Sequence, residues 1–329
     1  MKDFIRTVTG DIAPQELGYC QCHEHIFLEM DKSFEVSPVL FMDDYKKSVA
    51  ELKEYQTAGG KAIVDAQPVA CGRMAELLEK ASAESGVHIV ASTGFHKTAF
   101  YYDDSYVFKY NADEITKLYI EELEVGMYAS KQAGEKILSC KAGQIKTAID
   151  RNGIHANATY EKLFNAAADA AQCTGAPVMV HIEQNADALH VVDFFAKHGV
   201  AANRLILCHI DRARYDFAYH KECAQTGAFM EYDTINRPKY HDDVREAELI
   251  EFMLGEGYAA QLLLGLDTTN ARLRSYGAKD MGLDYILKAF IPFLEKRGID
   301  SNIMLDMLVL NPQRALKYTI NNKKECANV

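Results

Sequence analysis

Two histidines, His23 and His25, lie two positions apart at the end of a short apolar run. Successive side chains of a β-strand point to opposite faces, so residues two apart share a face. Two neutral imidazoles on one face can bind a metal ion, because imidazole suits zinc, iron, cobalt and nickel. A chain with 11 histidines also contains such a pair by chance. A metal site therefore requires further ligands from other segments.

Eight apolar segments rich in β-branched residues recur along the chain and alternate with helical patterns. The predicted strands are residues 19–22, 61–65, 87–93, 144–149, 177–181, 204–209, 228–233 and 261–267. The predicted helices include residues 43–57, 73–85, 112–133, 160–174 and 302–310. This alternation indicates βα units with a parallel sheet, and eight such strands close a barrel. We therefore predict an α/β fold, a (β/α)8 TIM barrel with elaborated βα loops, as a single domain over residues 1–329.

An open doubly wound sheet is the alternative fold, but no Gly-rich phosphate turn follows the first predicted strand. The net charge of −11 and the pI near 5.5 argue against binding to nucleic acid or to an anionic membrane surface. The amino terminus has no apolar signal segment, and no apolar run reaches the roughly 18 residues that span a bilayer. We therefore expect a cytoplasmic protein without a membrane partner.

The cysteines predict buried thiols and not a disulfide framework. Eight cysteines without a CxxC motif are too sparse for such a framework in a chain of this length. Cys20 and Cys22 alternate with His23 and His25, so we expect both thiols to be buried on the face opposite the histidine pair.

The carboxyl ends of the strands carry the active site in barrels of this kind, because the βα loops meet there. In this sequence those ends carry His23, His25, Lys146, His181, His209 and Asp267. So many ligand side chains at equivalent heights predict a metal centre. Asp211 and Asp233 are candidate partners that orient ligand histidines, whereas Glu24 faces away from the pair and has a structural role.

Lys146 is the unusual member of this set, because metal cations repel an ammonium group. One interpretation is a lysine of the barrel core or of the substrate pocket. The other is that its amine has reacted with carbon dioxide to form a carbamate, whose two oxygens can bridge two metal ions.

At these positions the chain closely resembles the phosphotriesterase family of the amidohydrolase superfamily, over nearly its whole length. The matching motifs are Gly18-x4-His23-Glu24-His25, Ile145-Lys146, Val180-His181, Cys208-His209-Ile210-Asp211, Asp267 and Asn311-Pro312. The resemblance implies a centre of two divalent ions, with zinc expected and manganese or cobalt as alternatives. It implies that His23, His25 and Asp267 hold the buried ion and that His181 and His209 hold the exposed ion. Carboxylated Lys146 would bridge the two ions together with a hydroxide.

The sequence departs from the family pattern in two places. Gly94-Phe95-His96 follows the third predicted strand, and Tyr19-Cys20-Gln21-Cys22 precedes the histidine pair. Activity towards organophosphates is therefore not assumed.

Two divalent ions roughly 3.5–4 Å apart lower the pKa of a bridging water and polarise a carbonyl or phosphoryl oxygen, which is hydrolytic chemistry. We predict that the hydroxide attacks an ester carbonyl. We also predict that Asp267 is catalytic, accepting the hydroxide proton and returning it to the leaving alkoxide. Alternatively, Asp267 is a metal ligand without a proton role.

Basic residues in the loops after the seventh and eighth strands indicate an anionic substrate. Lys239, Arg272, Arg274 and Tyr276 form a candidate anion clamp, since these loops often bind phosphate. The alternative is that these residues are solvated surface charges. His96 is either a substrate contact or a cap of the third strand. The pattern resembles the family branch that opens phosphorylated sugar lactones, which implies a lactonase for a small sugar lactone phosphate. Such barrels often form homodimers.

Three other functions are compatible with parts of this pattern. A phosphotriesterase or carboxylesterase of the same family would differ in its turnover of lactones and aryl phosphates. A mononuclear amidohydrolase such as a deaminase would have an uncarboxylated Lys146 and one ion per chain. A non-catalytic binding protein would have lost a ligand or the acid, and the sequence retains all of them.

Overall fold

The computed structural model of the chain describes residues 3–129 and 136–319. An antiparallel hairpin of β1 (Ile5–Thr7) and β2 (Gly10–Ile12) precedes the main sheet. Within the described residues, the main sheet has eight strands, and neighbouring strands are parallel: β3 (Cys20–Glu24), β4 (Ala62–Asp65), β5 (His88–Gly94), β6 (Gln144–Ile149), β7 (Val178–Ile182), β8 (Leu205–Cys208), β9 (Phe229–Tyr232) and β10 (Leu262–Leu264). Their order in the sheet is their order in the sequence, as repeated βα units require.

The first and last strands of the sheet lie side by side and are joined mainly through side chains. The backbone N–H of Asp267 donates to the carbonyl of His23 at 2.9 Å, and Leu266 donates to the Glu24 carboxylate at 2.9 Å. The N–H of His25 donates to the hydroxyl of Thr268 at 3.1 Å. These bonds close the sheet, so the predicted (β/α)8 barrel is confirmed. Glu24 has the structural role that the sequence indicated.

Helices surround the barrel. They are α1 (Lys32–Val36), α2 (Tyr45–Thr57), α3 (Ala75–Ser85), α4 (Tyr106–Lys109), α5 (Ala112–Glu124), α6 (Ala158–Thr174), α7 (Ala188–Lys197), α8 (Ile210–Ala213), α9 (Phe217–Gln225), α10 (Asp243–Gly255), α11 (Ile291–Lys296), α12 (Ser301–Leu305) and α13 (Asn311–Ala315). Among the described residues, no helix is long and apolar enough to cross a bilayer.

The longest of these helices, α6, shows how local sequence sets the boundaries of an element. Asn157 caps its amino end by accepting a hydrogen bond from the N–H of Tyr160, and Gly175 ends it in the left-handed region at φ 76°. Its buried face is rich in alanine, which brings the helix close to the sheet. The chain then enters β7 directly, so the cap fixes where that strand begins.

The helix predicted over residues 112–133 is shorter in the structure. It ends at Glu124, because the chain reverses at Gly126 and Met127 then bonds to Leu138 and Cys140. A β-carbon at Gly126 would overlap the carbonyl of Leu138. The last four positions of that prediction, and the tail predicted to fray from Asn321, lie outside the described residues.

Aliphatic and sulfur-containing side chains fill the barrel interior, which includes Cys20, Cys22, Val64, Val90, Met179, Ile206, Cys208 and Leu263. Both Cys20 and Cys22 are buried, as predicted, but the prediction that they face away from the histidine pair is wrong. Four residues of β3, from Gln21 to Glu24, lie opposite three residues of β4, from Ile63 to Asp65. This β-bulge breaks the alternation, so the thiols point into the same interior as the histidines.

Candidate metal centre and substrate pocket

The structure brings together all six residues that the sequence placed at strand ends. The imidazole rings of His23 and His209 have centroids 4.5 Å apart, as do those of His181 and His209. Oδ1 of Asp267 lies 3.4 Å from Nε2 of His25 and 3.9 Å from Nε2 of His23. Nζ of Lys146 lies 3.5 Å from Nε2 of His23. These residues come from β3, β6, β7 and the ends of β8 and β10, so the barrel geometry alone makes them meet.

The donor groups suit a metal ion. One donor atom each from His23, His25 and Asp267 lies within 4.8 Å of the others. Within the described residues, Nδ1 of His25 and Nδ1 of His181 are buried without a hydrogen-bond partner, and Nε2 of His181 lies 3.5 Å from Oε2 of Glu183. Burial lowers the pKa of His23 and His209 well below the usual range and lowers that of His181 to about 4. A neutral imidazole with a free ring nitrogen is the form that binds a metal.

Lys146 is fully buried in the barrel interior. Its Nζ contacts Sδ of Met179 and Sγ of Cys208, both at 3.3 Å, in addition to His23. The neighbouring strand sets its position through Gly94, which has φ +93° and pairs with Lys146 in the ladder. A β-carbon at Gly94 would overlap the carbonyl oxygen of Lys146, so only glycine allows this approach.

Carboxylates behind the histidines fix their orientation. Oδ1 of Asp233 accepts from Nδ1 of His209 at 2.7 Å, and Oε2 of Glu231 lies 3.0 Å from Nδ1 of His23. Both imidazoles therefore present Nε2 to the centre. Asp211 acts one step further out, because it accepts the backbone N–H groups of Asp233 and Thr234 at 2.9 and 2.7 Å.

Two arginines hold the other side of the Asp267 carboxylate. Nη1 of Arg212 lies 2.7 Å from Oδ2, and Arg237 bonds to the same oxygen. Burial alone would raise the pKa of Asp267, but the guanidinium groups of Arg237 and Arg212 outweigh it and hold that pKa well below its usual range. Asp267 is therefore ionised, with one oxygen towards the histidines and one on the arginines.

A cavity of about 140 Å³ opens onto this centre. Its floor is made by His25, His181, His209 and Asp267. Its walls come from α1 and the loop after it, and from the loops after β4 and β5. They include Ser33, Val39, Gln67, His96, Lys97 and Phe100. His96 lines the cavity with its ring centroid 4.9 Å from that of His181. A cavity of this size admits a small molecule beside the metal-ligating groups.

Comparison with known proteins identifies the family. The sequence matches the profile described as "Phosphotriesterase family" over residues 3–316. The chain belongs to the phosphotriesterase family. It is 31% identical over 331 residues to a "Phospho-furanose lactonase" of Mycoplasmopsis synoviae, covering 96% of this chain and 92% of that protein. It is 32% identical over 330 residues to a protein of the same name from Mycoplasmopsis agalactiae, with the same coverage.

Solved structures agree with this family assignment. An amidohydrolase from Mycoplasma synoviae superposes with a TM-score of 0.90 at 29% identity, covering 98% of this chain and 94% of that one. A lactonase from Listeria monocytogenes superposes with a TM-score of 0.88 at 29% identity, covering 96% of this chain and all of that one. The predictions of the family, of the barrel and of a hydrolase acting on ester bonds are therefore confirmed. Members of the phosphotriesterase family depend on metal, and the donor groups described above fit that requirement.

The residues predicted as an anion clamp lie in different places in this phosphotriesterase-family barrel. Arg272 is buried and donates to the carbonyls of Ile235, Asn236 and Leu266 at 2.8–3.0 Å. Arg274 pairs with Glu54 and Asp284. Tyr276 bonds to the hydroxyl of Ser48 at 2.9 Å and lines a separate surface cavity. None of these three lines the cavity at the metal centre, as far as the described residues extend.

Lys239 lies in a basic cavity next to the metal centre. This cavity, of about 330 Å³, is lined by Lys239, Arg214, Arg245 and Tyr240, and it shares Arg212 with the cavity over the metal centre. The cations of Arg212, Arg237 and Lys239 all lie 4.9–5.6 Å from the Tyr240 ring centroid. Three positive charges therefore lie around the Tyr240 ring, beside Asp267.

The sequence reasoning missed Glu231, Arg212, Arg237 and Lys97. Glu231 carried a signal, because a glutamate within the apolar run Phe229–Tyr232 needs a buried partner. Arg212 follows His209 by three residues at the same strand end, so its position was also visible. Nothing in the sequence separates Arg237 from Lys239, since both are basic residues of one loop.

Proposed function

We propose that this chain is a metal-dependent lactonase that opens a small phosphorylated sugar lactone with two divalent ions bound. The observation that carries the proposal is the convergence of four imidazoles, Lys146 and Asp267 at one end of the barrel. The names of the two curated relatives supply the substrate class. The homodimer and the cytoplasmic location stay predictions.

In this proposal His23, His25 and Asp267 hold one ion, and His181 and His209 hold the other. Zinc is the expected metal, with manganese or cobalt as alternatives. When bound, the two ions polarise the lactone carbonyl and lower the pKa of a water molecule.

Lys146 would serve as a carbamate between the two ion positions. The contacts of its amine support this role, because two sulfur atoms and an imidazole nitrogen are poor partners for a buried ammonium. A carbamate formed with carbon dioxide would replace that buried positive charge with an anion suited to divalent ions.

Asp267 is the proposed proton carrier. Its Oδ1 faces His25 and His23, so this oxygen would accept the proton of the attacking water and return it to the alkoxide of the opened ester. Its Oδ2 is held by Arg212 and Arg237, which makes it a weak base in the absence of substrate. An anionic group of the substrate would compete for these guanidinium groups and leave Asp267 more basic.

The basic cavity beside the centre is the proposed site for the phosphate of the substrate. Arg212 and Arg237 line the cavity over the metal centre, and Lys239 adds a third charge from the adjoining cavity. Arginine binds phosphate through two parallel hydrogen bonds, which suits an anchor that also sets orientation. Of the residues predicted from the sequence, Lys239 is the one whose position supports this role.

Steady-state kinetics of the metal-loaded protein on three substrates test the proposal. The substrates are a phosphorylated furanose lactone, its dephosphorylated form and an aryl phosphotriester. We expect kcat/KM to be at least ~100-fold higher for the phosphorylated lactone than for either of the others, because the anionic anchor acts only on that substrate. A preference for the phosphotriester, or one bound ion per active chain, would contradict the proposal.

A further inference from the structure

A second group of potential metal ligands lies outside the catalytic centre, between the loops that follow β8 and β9. It consists of Asp211 in α8, His241 in the loop after β9, and Glu246 in the first turns of α10. One donor atom from each lies within 4.8 Å of the others, and all three residues are at least nine-tenths buried. These side chains are not among the ligands proposed for the catalytic ions.

Two of these side chains have no hydrogen-bond partner for the atoms that face the group. Within the described residues, both carboxylate oxygens of Glu246 and Nε2 of His241 lack such a partner. Glu246 is fully buried. A buried ionised carboxylate without a partner is costly, so Glu246 must either take up a proton or be neutralised by a cation.

The tautomer of His241 follows from its other nitrogen. Nδ1 lies 3.1 Å from the carbonyl of Asp242, which can only accept, so Nδ1 carries the hydrogen. In the neutral ring Nε2 therefore presents a lone pair, and it lies 3.2 Å from Oε2 of Glu246. Two acceptors at this distance repel each other unless a proton or a metal cation lies between them.

The geometry fits two ligands of one metal ion better than an N–H···O bond. Nε2 of His241 and the Glu246 carboxylate are close, but their alignment does not make a hydrogen bond. Two atoms that are each about 2.0–2.1 Å from a zinc ion lie roughly 3.0–3.4 Å apart, which includes the observed separation.

The neighbouring cations are engaged elsewhere. The guanidinium of Arg212 bonds to Asp267, and those of Arg214 and Arg245 lie over the rings of Tyr219 and Tyr215 at 4.1 and 4.0 Å. Burial and the nearby Asp211 carboxylate raise the pKa of Glu246 well above its usual range. Within the described residues, no lysine or arginine pairs with Glu246, so its buried carboxyl group needs either a proton or a metal ion.

We propose that Asp211, His241 and Glu246 bind a third divalent cation, separate from the two catalytic ions. One imidazole and two carboxylates favour zinc, manganese or cobalt over calcium or magnesium, which prefer oxygen ligands only. The basic cavity is lined by Asp211 and His241, so it gives a path for the ion and room for a water ligand.

This ion would connect the two loops that support the catalytic centre. Asp211 accepts the backbone N–H groups of Asp233 and Thr234, and Asp233 orients His209. His241 lies in the same loop as Arg237 and Lys239. The third ion would therefore stabilise both the histidine side and the anion side of the pocket.

Anomalous diffraction at the zinc edge, together with metal analysis of the purified protein, tests this proposal. We expect a peak between His241 and Glu246 in zinc-grown crystals. We expect His241→Ala and Glu246→Gln to lower zinc affinity at this position at least ~100-fold and to remove one ion per chain, since removing one ligand greatly weakens a site with three protein ligands. His155→Ala, at an exposed histidine, is the matched control and should retain every ion.

The outcomes separate this site from the catalytic one, because each has its own peak. Zinc at the catalytic centre with no peak at His241 would overturn the proposal, even if lactone turnover is normal. Unchanged zinc content with a higher melting temperature in Glu246→Gln would also overturn it, because the native pair would then share a proton instead of an ion. A peak at His241 in a protein without lactonase activity would support the third site and contradict the proposed function alone.

Discussion

Side chains at the strand ends and side chains in the following loops differ in how closely they come together. The six candidate ligands at strand ends, predicted from the sequence, converge on one centre. Of the four residues predicted as an anion clamp in the seventh and eighth loops, three are directed to other partners. The register of a closed parallel sheet fixes the height and direction of a strand end. A loop side chain is instead oriented by whichever partner it finds.

The largest effect should come from Asp267, at the end of β10. Asp267→Asn keeps the shape of the side chain but removes its basicity, so we expect kcat on a lactone to fall ~10²–10⁴-fold. Metal content should fall much less, and both are measured on the same preparation. Equal losses of turnover and metal would show that Asp267 is only a ligand.

Gly94 tests whether strand register positions Lys146. In Gly94→Ala the new β-carbon meets the Lys146 carbonyl at a backbone φ of +93°, so we expect a loss of about 2–4 kcal/mol in the free energy of unfolding, with lower metal content. Gly86→Ala is the control, since Gly86 has φ +70° with nothing within 4 Å of a β-carbon. It should cost about 1 kcal/mol and leave metal content unchanged. Denaturant unfolding and metal analysis measure both variants. Equal losses of stability and of metal in the two variants would contradict the proposal that strand register positions Lys146.

The barrel and the meeting of its strand ends were predictable, because periodicity and spacing determine both. The convergence of the histidines at 23, 25, 181 and 209 could be predicted without knowing how the side chains pack. The orientation of Cys20 and Cys22 was not predictable, because a one-residue bulge between β3 and β4 reverses their face. Nothing local in the sequence marks that bulge, which depends on how β3 meets its neighbour.

The partners of the loop residues were not predictable for another reason. Arg272 and Arg274 look alike in the sequence, yet one is buried among backbone carbonyls and the other pairs with Glu54 on α2. Those partners are remote in the chain, so composition cannot separate a structural arginine from one that binds substrate. Arg212, which does line the pocket, follows directly after Asp211 at a strand end. Position relative to the sheet was therefore a better guide than local charge density.

The two arginines make a direct test of that distinction. Arg272→Ala removes the donor for three backbone carbonyls, so we expect the free energy of unfolding to fall by about 2–4 kcal/mol. Arg274→Ala should cost less than about 1 kcal/mol, because its side chain is 40% exposed and Lys288 still pairs with Asp284. Denaturant titration measures both. A selective rise in KM for the phosphorylated lactone in Arg274→Ala would instead favour the anion clamp as the sequence predicted it.

Replacing Lys239 should have the smallest effect of these substitutions, and we expect that effect only on substrate binding. Lys239 is exposed and lines the basic cavity with Arg212, so its charge would be felt by a bound phosphate without being needed for folding. For Lys239→Ala we expect KM for the phosphorylated lactone to rise about tenfold, which corresponds to about 1.4 kcal/mol. KM for the dephosphorylated lactone should change less than about twofold, since no anion is present to attract. Lys279→Ala, at an exposed lysine of the eighth loop, is the matched control.

An equal rise in KM for both lactones would mean that Lys239 shapes the pocket and does not bind the phosphate. The anion site would then consist of Arg212 and Arg237 alone.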